Sequence, residues 1–66
     1  MTRQTVHLAS TALRSATWDS ETQTLEVVFV NGRDYTHEGV PEHVFDALAT
    51  ARSAGSYYAR NIKGRY

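Results

Sequence analysis

Cysteine is absent from this 66-residue chain, and proline occurs only once. Without cysteine, neither disulfides nor thiolate zinc sites can stabilise the fold. The sequence also has no apolar run of the about 18 residues that a membrane span requires, and its first residues do not resemble a secretory signal. With 41% hydrophobic and 21% charged residues, the chain is expected to form one small domain in the cytoplasm.

Residue patterns that would indicate catalysis are also missing. The four glycines are scattered, so none of them forms a phosphate-binding loop. His7, His37 and His43 do not have the helical spacing of zinc ligands, and no site for a metal is predicted. No serine lies in a strained strand-to-helix turn, and a chain this short is expected to leave little volume for a pocket. We therefore predict a protein that is not an enzyme.

Charge is balanced overall but unevenly distributed. The chain has seven acidic and seven basic residues, and all of the acidic ones precede residue 47. Four cations follow without an acid among them: Arg52, Arg60, Lys63 and Arg65. Zero net charge argues against strong non-specific binding of nucleic acid, but the basic C-terminal third permits a local contact with phosphates. The alternative is a solvated helix face with cations near its C-terminal end, where the helix dipole favours them.

The first half of the chain predicts a three-stranded antiparallel meander. Residues 1–8 lack a clear period and are interpreted as an N-terminal arm. Residues 11–18 form a strand if one bulge brings Leu13, Ala16 and Trp18 to the same side. Residues 24–30 alternate as a strand does, and Asn31-Gly32 predicts a type I′ hairpin turn with positive φ at both positions. Residues 33–38 complete the sheet.

The second half predicts two helices, which gives an α+β fold of order β-β-β-α-α. Pro41 suits the first position of a helix that extends to about residue 52. Ser53 is a candidate N-cap for a shorter helix, and Gly64 is a candidate C-cap. The predicted core contains Leu13, Ala16, Trp18, Leu25, Val27, Phe29, Tyr35, Val44, Phe45, Leu48, Tyr58 and Ile62.

The tyrosines near the C-terminus alternate with the cations. Tyr57, Tyr58 and Tyr66 lie among Arg60 and the other basic residues, and aromatic rings beside cations are typical of proteins that bind single-stranded RNA. Adjacent helix positions diverge by about 100°, so Tyr57 and Tyr58 cannot both face outward. The alternative is that these rings belong to the core or cover its edge.

A second surface is predicted on the sheet. Val28, Val30 and His37 are interpreted as part of an exposed face that could contact a protein partner or a second copy of the chain. The protein is therefore expected to be a monomer or a homodimer.

Taken in order, six sequence blocks resemble the KTSC domain over residues 9–66. After a first strand that ends at Trp18-Asp19, they are TLEVVF at 24–29, NG at 31–32, YTH at 35–37, GVP at 39–41, ARSAGSYY at 51–58 and IKGRY at 62–66. The family usually carries a central Tyr-any-Tyr triplet. Tyr35 matches its first tyrosine, and His37 replaces the second.

The KTSC domain is named for its place at the C-terminus of some lysyl-tRNA synthetases, and it also occurs as a free-standing protein of bacteria and phages. The resemblance implies no cofactor and suggests RNA binding. Our first hypothesis is a module that binds RNA or another polyanion. Arg52, Arg60, Lys63 and Arg65 would contact phosphates, and Tyr57 and Tyr66 would stack. The alternative is a protein-interaction domain, such as a phage accessory protein or inhibitor, that uses the sheet face, with Tyr35 and His37 as possible contacts.

Overall fold

The computed structural model describes residues 2–66 as a four-stranded antiparallel sheet covered on one face by two helices. The strands are β1 (Arg3–His7), β2 (Leu13–Asp19), β3 (Thr24–Phe29) and β4 (Asp34–His37), and they lie side by side in chain order. The helices are α1 (Glu42–Thr50) and α2 (Ala54–Asn61). The α+β prediction is confirmed, but the sheet has four strands and not three.

The additional strand is β1, which occupies the segment interpreted as an arm. It pairs antiparallel with β2, from Arg3 opposite Asp19 to His7 opposite Ser15. Val6 and Leu8 are half-buried and pack against the core. Because β1 is a polar edge strand with only one apolar residue, its sequence shows almost no alternation of apolar and polar residues. Met1, which was included in the predicted arm, lies outside the described residues.

The bulge predicted in β2 is confirmed. Leu13 lies opposite Phe29, whereas Ser15 lies opposite the adjacent Val28, so β2 carries one extra residue at this point. The extra residue brings Leu13 into phase with Ala16 and Trp18, and all three side chains are buried.

The hairpin between β3 and β4 is confirmed, but its turn differs from the type I′ prediction. The backbone N–H of Gly32 donates to Phe29 O (3.0 Å), and the N–H of Phe29 donates to Arg33 O (2.7 Å), so the loop contains three residues. Gly32 has φ +91°, whereas Asn31 is not among the residues with positive φ. A turn followed by one left-handed glycine is the usual form of a three-residue hairpin loop.

The helix boundaries agree with the predictions to within a few residues. Pro41 is the N-cap of α1 and not its first helical residue. Ser53 caps α2 as predicted, and its hydroxyl accepts a hydrogen bond from the backbone N–H of Ser56 (3.4 Å). The C-cap of α2 is Ile62. Gly64, two residues further on with φ +82°, turns the tail back toward β4.

The core fills the single layer between the sheet and the helices. The Trp18 indole Nε1–H donates to the buried carbonyl of Val40 (2.7 Å), and the Trp18 ring stacks on Phe45 with centroids 6.0 Å apart. Ten of the twelve predicted core residues are buried, and Val40 and Ala54 are buried in addition. Phe29 is half-buried. The prediction that Tyr35 lies in the core is wrong, because 46% of its surface is exposed. Within residues 2–66, neither helix is long and apolar enough to cross a bilayer.

Candidate functional site

A groove of about 510 Å³ lies between the β3–β4 hairpin and α2. We call it the aromatic groove and define it by Phe29, Arg33, Tyr35, His37, Tyr58 and Lys63, which line it. Its volume lies within the range of about 300–1,000 Å³ that is typical of small-molecule sites. The expectation that so short a chain would leave little volume for a pocket is therefore wrong.

Three rings form the apolar part of the aromatic groove. The Phe29 ring meets Tyr35 edge-to-face at 5.5 Å and Tyr58 edge-to-face at 5.4 Å. Edge-to-face contacts of this kind fix the orientation of the rings. Tyr58 is almost fully buried, but Tyr35 is 46% exposed. Tyr35 therefore offers ring surface to a ligand.

Small side chains on α2 form part of the wall of the aromatic groove. Gly55 and Ala59 also line it, and together with Lys63 they are spaced four residues apart, so they form one stripe. A Cβ atom at position 55 would lie 3.2 Å from the Cβ of Ala12, which is closer than most such contacts. Glycine at this position therefore allows α2 to approach the start of β2 closely.

His37 connects three parts of the aromatic groove. Its Nε2 lies 2.8 Å from the hydroxyl oxygen of Tyr58 on α2, and its Nδ1 lies 3.2 Å from the main-chain oxygen of Tyr66 in the tail. Both ring nitrogens therefore have partners. Burial, and to a lesser degree the neighbouring Tyr35, raise the pKa of Tyr58 above the usual value of 10.0. The Tyr58 hydroxyl consequently keeps its proton at neutral pH.

The charged side chains that line the aromatic groove are all basic. Arg33 and Lys63 are exposed and line it, and no carboxylate side chain does so within residues 2–66. Arg33 directly precedes β4 and His37 ends it, so the two are four residues or about 13 Å apart along the extended chain, and Tyr35 lies between them. The arrangement suits a ligand that combines negative charge with flat rings.

Of the six predicted RNA-binding residues, only one lines the aromatic groove. Lys63 lines the aromatic groove, but Tyr57 and Arg60 lie about 100° or more around α2 from Ala59. Tyr57 is half-buried and packs against the core, as the alternative interpretation holds. Arg65 and Tyr66 are exposed in the tail.

Arg52 is separated from the other cations. It is exposed before the start of α2, beside Ser10 and Ser53 in a shallow depression of about 210 Å³. The eight residues of α2 place this end about 12 Å from the other end of the helix. Because the Ser53 hydroxyl already accepts from the N–H of Ser56, the segment is a helix cap.

The face of the sheet that points away from the helices does not carry all three residues predicted for it, Val28, Val30 and His37. His37 pairs with Leu25 on the helix-covered side, so it does not share a face with Val28. Polar residues surround Val28, which is half-buried: Ser15 and Asp34 lie opposite it. Val30 lies in the turn beyond β3 and is 46% exposed. This face therefore offers less apolar surface than the sequence predicts.

No cluster of three potential metal ligands occurs among histidine, cysteine, aspartate and glutamate within residues 2–66. The functional groups that line the aromatic groove are aromatic rings, tyrosine hydroxyls, an imidazole and two cations.

Sequence reasoning missed Arg33 and the role of Phe29 and Tyr58 in the site. The signal was present, because Arg33, Tyr35 and His37 occupy alternate positions of the predicted strand over residues 33–38. The face on which they lie depends on the register of the β3–β4 hairpin.

An antiparallel sheet with two helices on one face, and a groove beside the second helix, places the chain among small α+β domains. The family model of the KTSC domain matches residues 9–66, and the chain belongs to this family. An uncharacterized protein of Stutzerimonas stutzeri is 41% identical over 61 residues, which cover 92% of this chain and 86% of that protein.

Two further proteins are similar over most of their length. A protein of Tsukamurella paurometabola is 35% identical over 57 residues, which cover 86% of this chain and 85% of the relative. The crystal structure of a KTSC domain protein from Yersinia pestis superimposes with a TM-score of 0.89 at 28% identity, covering 97% of this chain and 90% of that one.

Proposed function

We propose that this protein is a non-enzymatic module that binds single-stranded RNA in the aromatic groove. The observation that carries the proposal is the combination of an exposed ring, Tyr35, with Arg33 and Lys63 in a groove that no carboxylate side chain lines within residues 2–66. A base stacks on the aromatic surface, while the two cations contact phosphates on either side. The proposed site retains Lys63 from the surface that the sequence predicts.

Two energetic terms support RNA as the ligand. Stacking of one base on an aromatic side chain contributes about 1–3 kcal/mol and tolerates any base. Hydrogen bonds from Arg or Lys to a phosphate contribute about 1.5–3 kcal/mol each. Together they predict binding that is modest and depends on salt, which agrees with the zero net charge of the chain.

The alternative is a protein partner on the outer face of the sheet. The polar neighbours of Val28 make this surface a weaker candidate than the aromatic groove. Val28→Asp is therefore a useful control, because it places a charge on the opposite side of the sheet.

The test is a titration of labelled single-stranded RNA at low salt, followed by fluorescence anisotropy. Lys63→Glu in the groove is compared with Arg60→Glu on another side of α2, and both change the net charge by the same amount. We expect Lys63→Glu to weaken binding by about tenfold, the value of one charge-assisted contact, and Arg60→Glu to have a much smaller effect. Tyr35→Ala should weaken binding by about fivefold or more.

Several outcomes would contradict the proposal. These are the absence of binding by the wild type, equal losses in Lys63→Glu and Arg60→Glu, or a loss confined to Val28→Asp. Circular dichroism of each variant shows whether the fold is intact.

A further inference from the structure

The hydrogen bonds of His37 fix which of its ring nitrogens carries the proton. The main-chain oxygen of Tyr66 can only accept, so the Nδ1 that lies 3.2 Å from it must be the donor. In the neutral ring, Nε2 is then unprotonated and accepts from the Tyr58 hydroxyl at 2.8 Å. The Tyr58 proton is therefore directed at His37 and away from any ligand.

We infer that protonation of His37 strengthens the binding of polyanions in the aromatic groove, which makes the site sensitive to pH. The inference rests on the proposed function and describes its regulation. When Nε2 gains a proton, it becomes a donor to the Tyr58 oxygen. The hydroxyl hydrogen of Tyr58 must then rotate away from His37, and it becomes available to a ligand in the groove.

Protonation thus changes the groove in two ways that favour an anion. It adds one positive charge, and it frees one O–H donor on an almost fully buried side chain. Because Tyr58 is almost fully buried, the freed O–H has little competing water around it and is a stronger donor than an exposed hydroxyl would be.

The groups around His37 determine the direction of the effect. Tyr58 faces it from α2, and Lys63 follows α2. Tyr35 lies on the same strand as His37, Arg33 directly precedes that strand, and Tyr66 contributes its main-chain oxygen from the tail. Within residues 2–66, no carboxylate side chain lines the groove to neutralise the added charge. A bound polyanion supplies the negative charge that the side chains lining the groove lack. Protonation and binding therefore favour each other reciprocally.

The other two histidines provide a matched control. His7 lies on β1, at the opposite edge of the sheet from β4, and His43 lies in the first turn of α1. Both are exposed, and neither lines the aromatic groove. His43→Gln therefore removes an imidazole without altering the site.

The experiment measures the affinity for a labelled single-stranded RNA oligonucleotide between about pH 8 and pH 5.5, the range in which histidine side chains ordinarily change charge. Ionic strength is held constant. We expect the Kd of the wild type and of His43→Gln to fall by about tenfold as the pH is lowered, a coupling of the usual size between linked sites. In His37→Gln the Kd should change by less than about twofold, because the coupled group is absent.

Tyr58→Phe separates the two contributions, since it keeps the charge on His37 but lacks the hydroxyl. We expect it to show a smaller pH dependence than the wild type. Nitrogen-15 NMR of the wild-type imidazole tests the starting state without any ligand, and at high pH it should report the Nδ1–H tautomer.

The outcomes distinguish the inference from the function on which it rests. The same pH dependence in His37→Gln and in the wild type, or an Nε2–H tautomer, would overturn the inference and leave RNA binding intact. Absence of RNA binding by the wild type at every pH would overturn both.

Discussion

Tyr58 belongs to the core and to the candidate site at once. Its ring is buried against Phe29, and its hydroxyl reaches His37 at the wall of the aromatic groove. Sequence periodicity predicts the first role, because Tyr58 and Ile62 are four residues apart on one face of a helix. The second role depends on a partner 21 residues away, and no local pattern reveals it.

The raised pKa of Tyr58 predicts a loss of stability at alkaline pH. Because the pKa is higher in the folded chain than the unfolded value of 10.0, the folded state holds this proton more tightly. Its contribution to the free energy of unfolding is complete below pH 10.0 and falls as the pH rises through the folded pKa. We expect Tyr58→Phe to lack this part of the alkaline loss, as measured by urea unfolding at several pH values.

Tyr57→Phe is the matched control for this prediction. Tyr57 is the adjacent tyrosine on the same helix, and its substitution leaves Tyr58 in place. The variant should keep the alkaline loss of the wild type. If Tyr58→Phe loses as much stability at alkaline pH as Tyr57→Phe does, the assignment to Tyr58 is wrong.

At the scale of elements, one turn decides which residues form the site. A two-residue turn at Asn31-Gly32 would pair Val30 with Arg33 and place His37 on the same face as Val28. The observed three-residue loop pairs Val27 with Tyr35 and Leu25 with His37, which turns those side chains toward α2. Since a slip of one residue reverses every side chain of a strand, this single difference moves the candidate site from the outer face to the groove.

Most of the elements could be predicted because their signals lie within a few neighbouring residues. The bulge in β2, the alternation of β3 and the Ser53 cap each have a physical signature within a few residues. The edge strand β1 could not be predicted in this way, because only its neighbour β2 defines it. The aromatic groove could not be predicted either, because it lies between α2 and β4, and no local sequence pattern gives the relative position of these two elements.

The packing of β1 gives a prediction that uses two adjacent residues. Val6 faces the core opposite Ala16, and Thr5 faces outward, where its hydroxyl lies 2.9 Å from that of Thr17. Val6→Asp should lower the free energy of unfolding by about 1–2 kcal/mol, the cost of placing a charge at a half-buried apolar site. Thr5→Asp should lower it by less than about 1 kcal/mol, since it loses one exposed hydrogen bond.

Urea unfolding of both variants measures the difference. Equal losses would mean that β1 does not contribute its inner face to the core. They would then favour the interpretation of residues 1–8 as an arm.

For the whole molecule, the proposed site predicts how binding depends on salt. Each phosphate contact on a single strand contributes a slope of about −0.7 in log K against log salt, so contacts from Arg33 and Lys63 predict about −1.4. Contacts from all four C-terminal cations would predict roughly −3. Anisotropy titrations at several salt concentrations measure this slope. A value near −3 would favour the surface that the sequence predicts, and a value of zero would exclude ionic contacts.

The two outer strands of the sheet give the ends of the described chain different environments. Strands β1 and β4 are separated by three strand spacings, or about 14 Å, and the last residue described, Tyr66, lies against His37. A purification tag or fluorescent label joined after Tyr66 would thus be attached at the mouth of the candidate binding site, where it competes with the hydrogen bond to His37. The same label placed before β1 would be attached at the far edge of the sheet and would leave the site unobstructed.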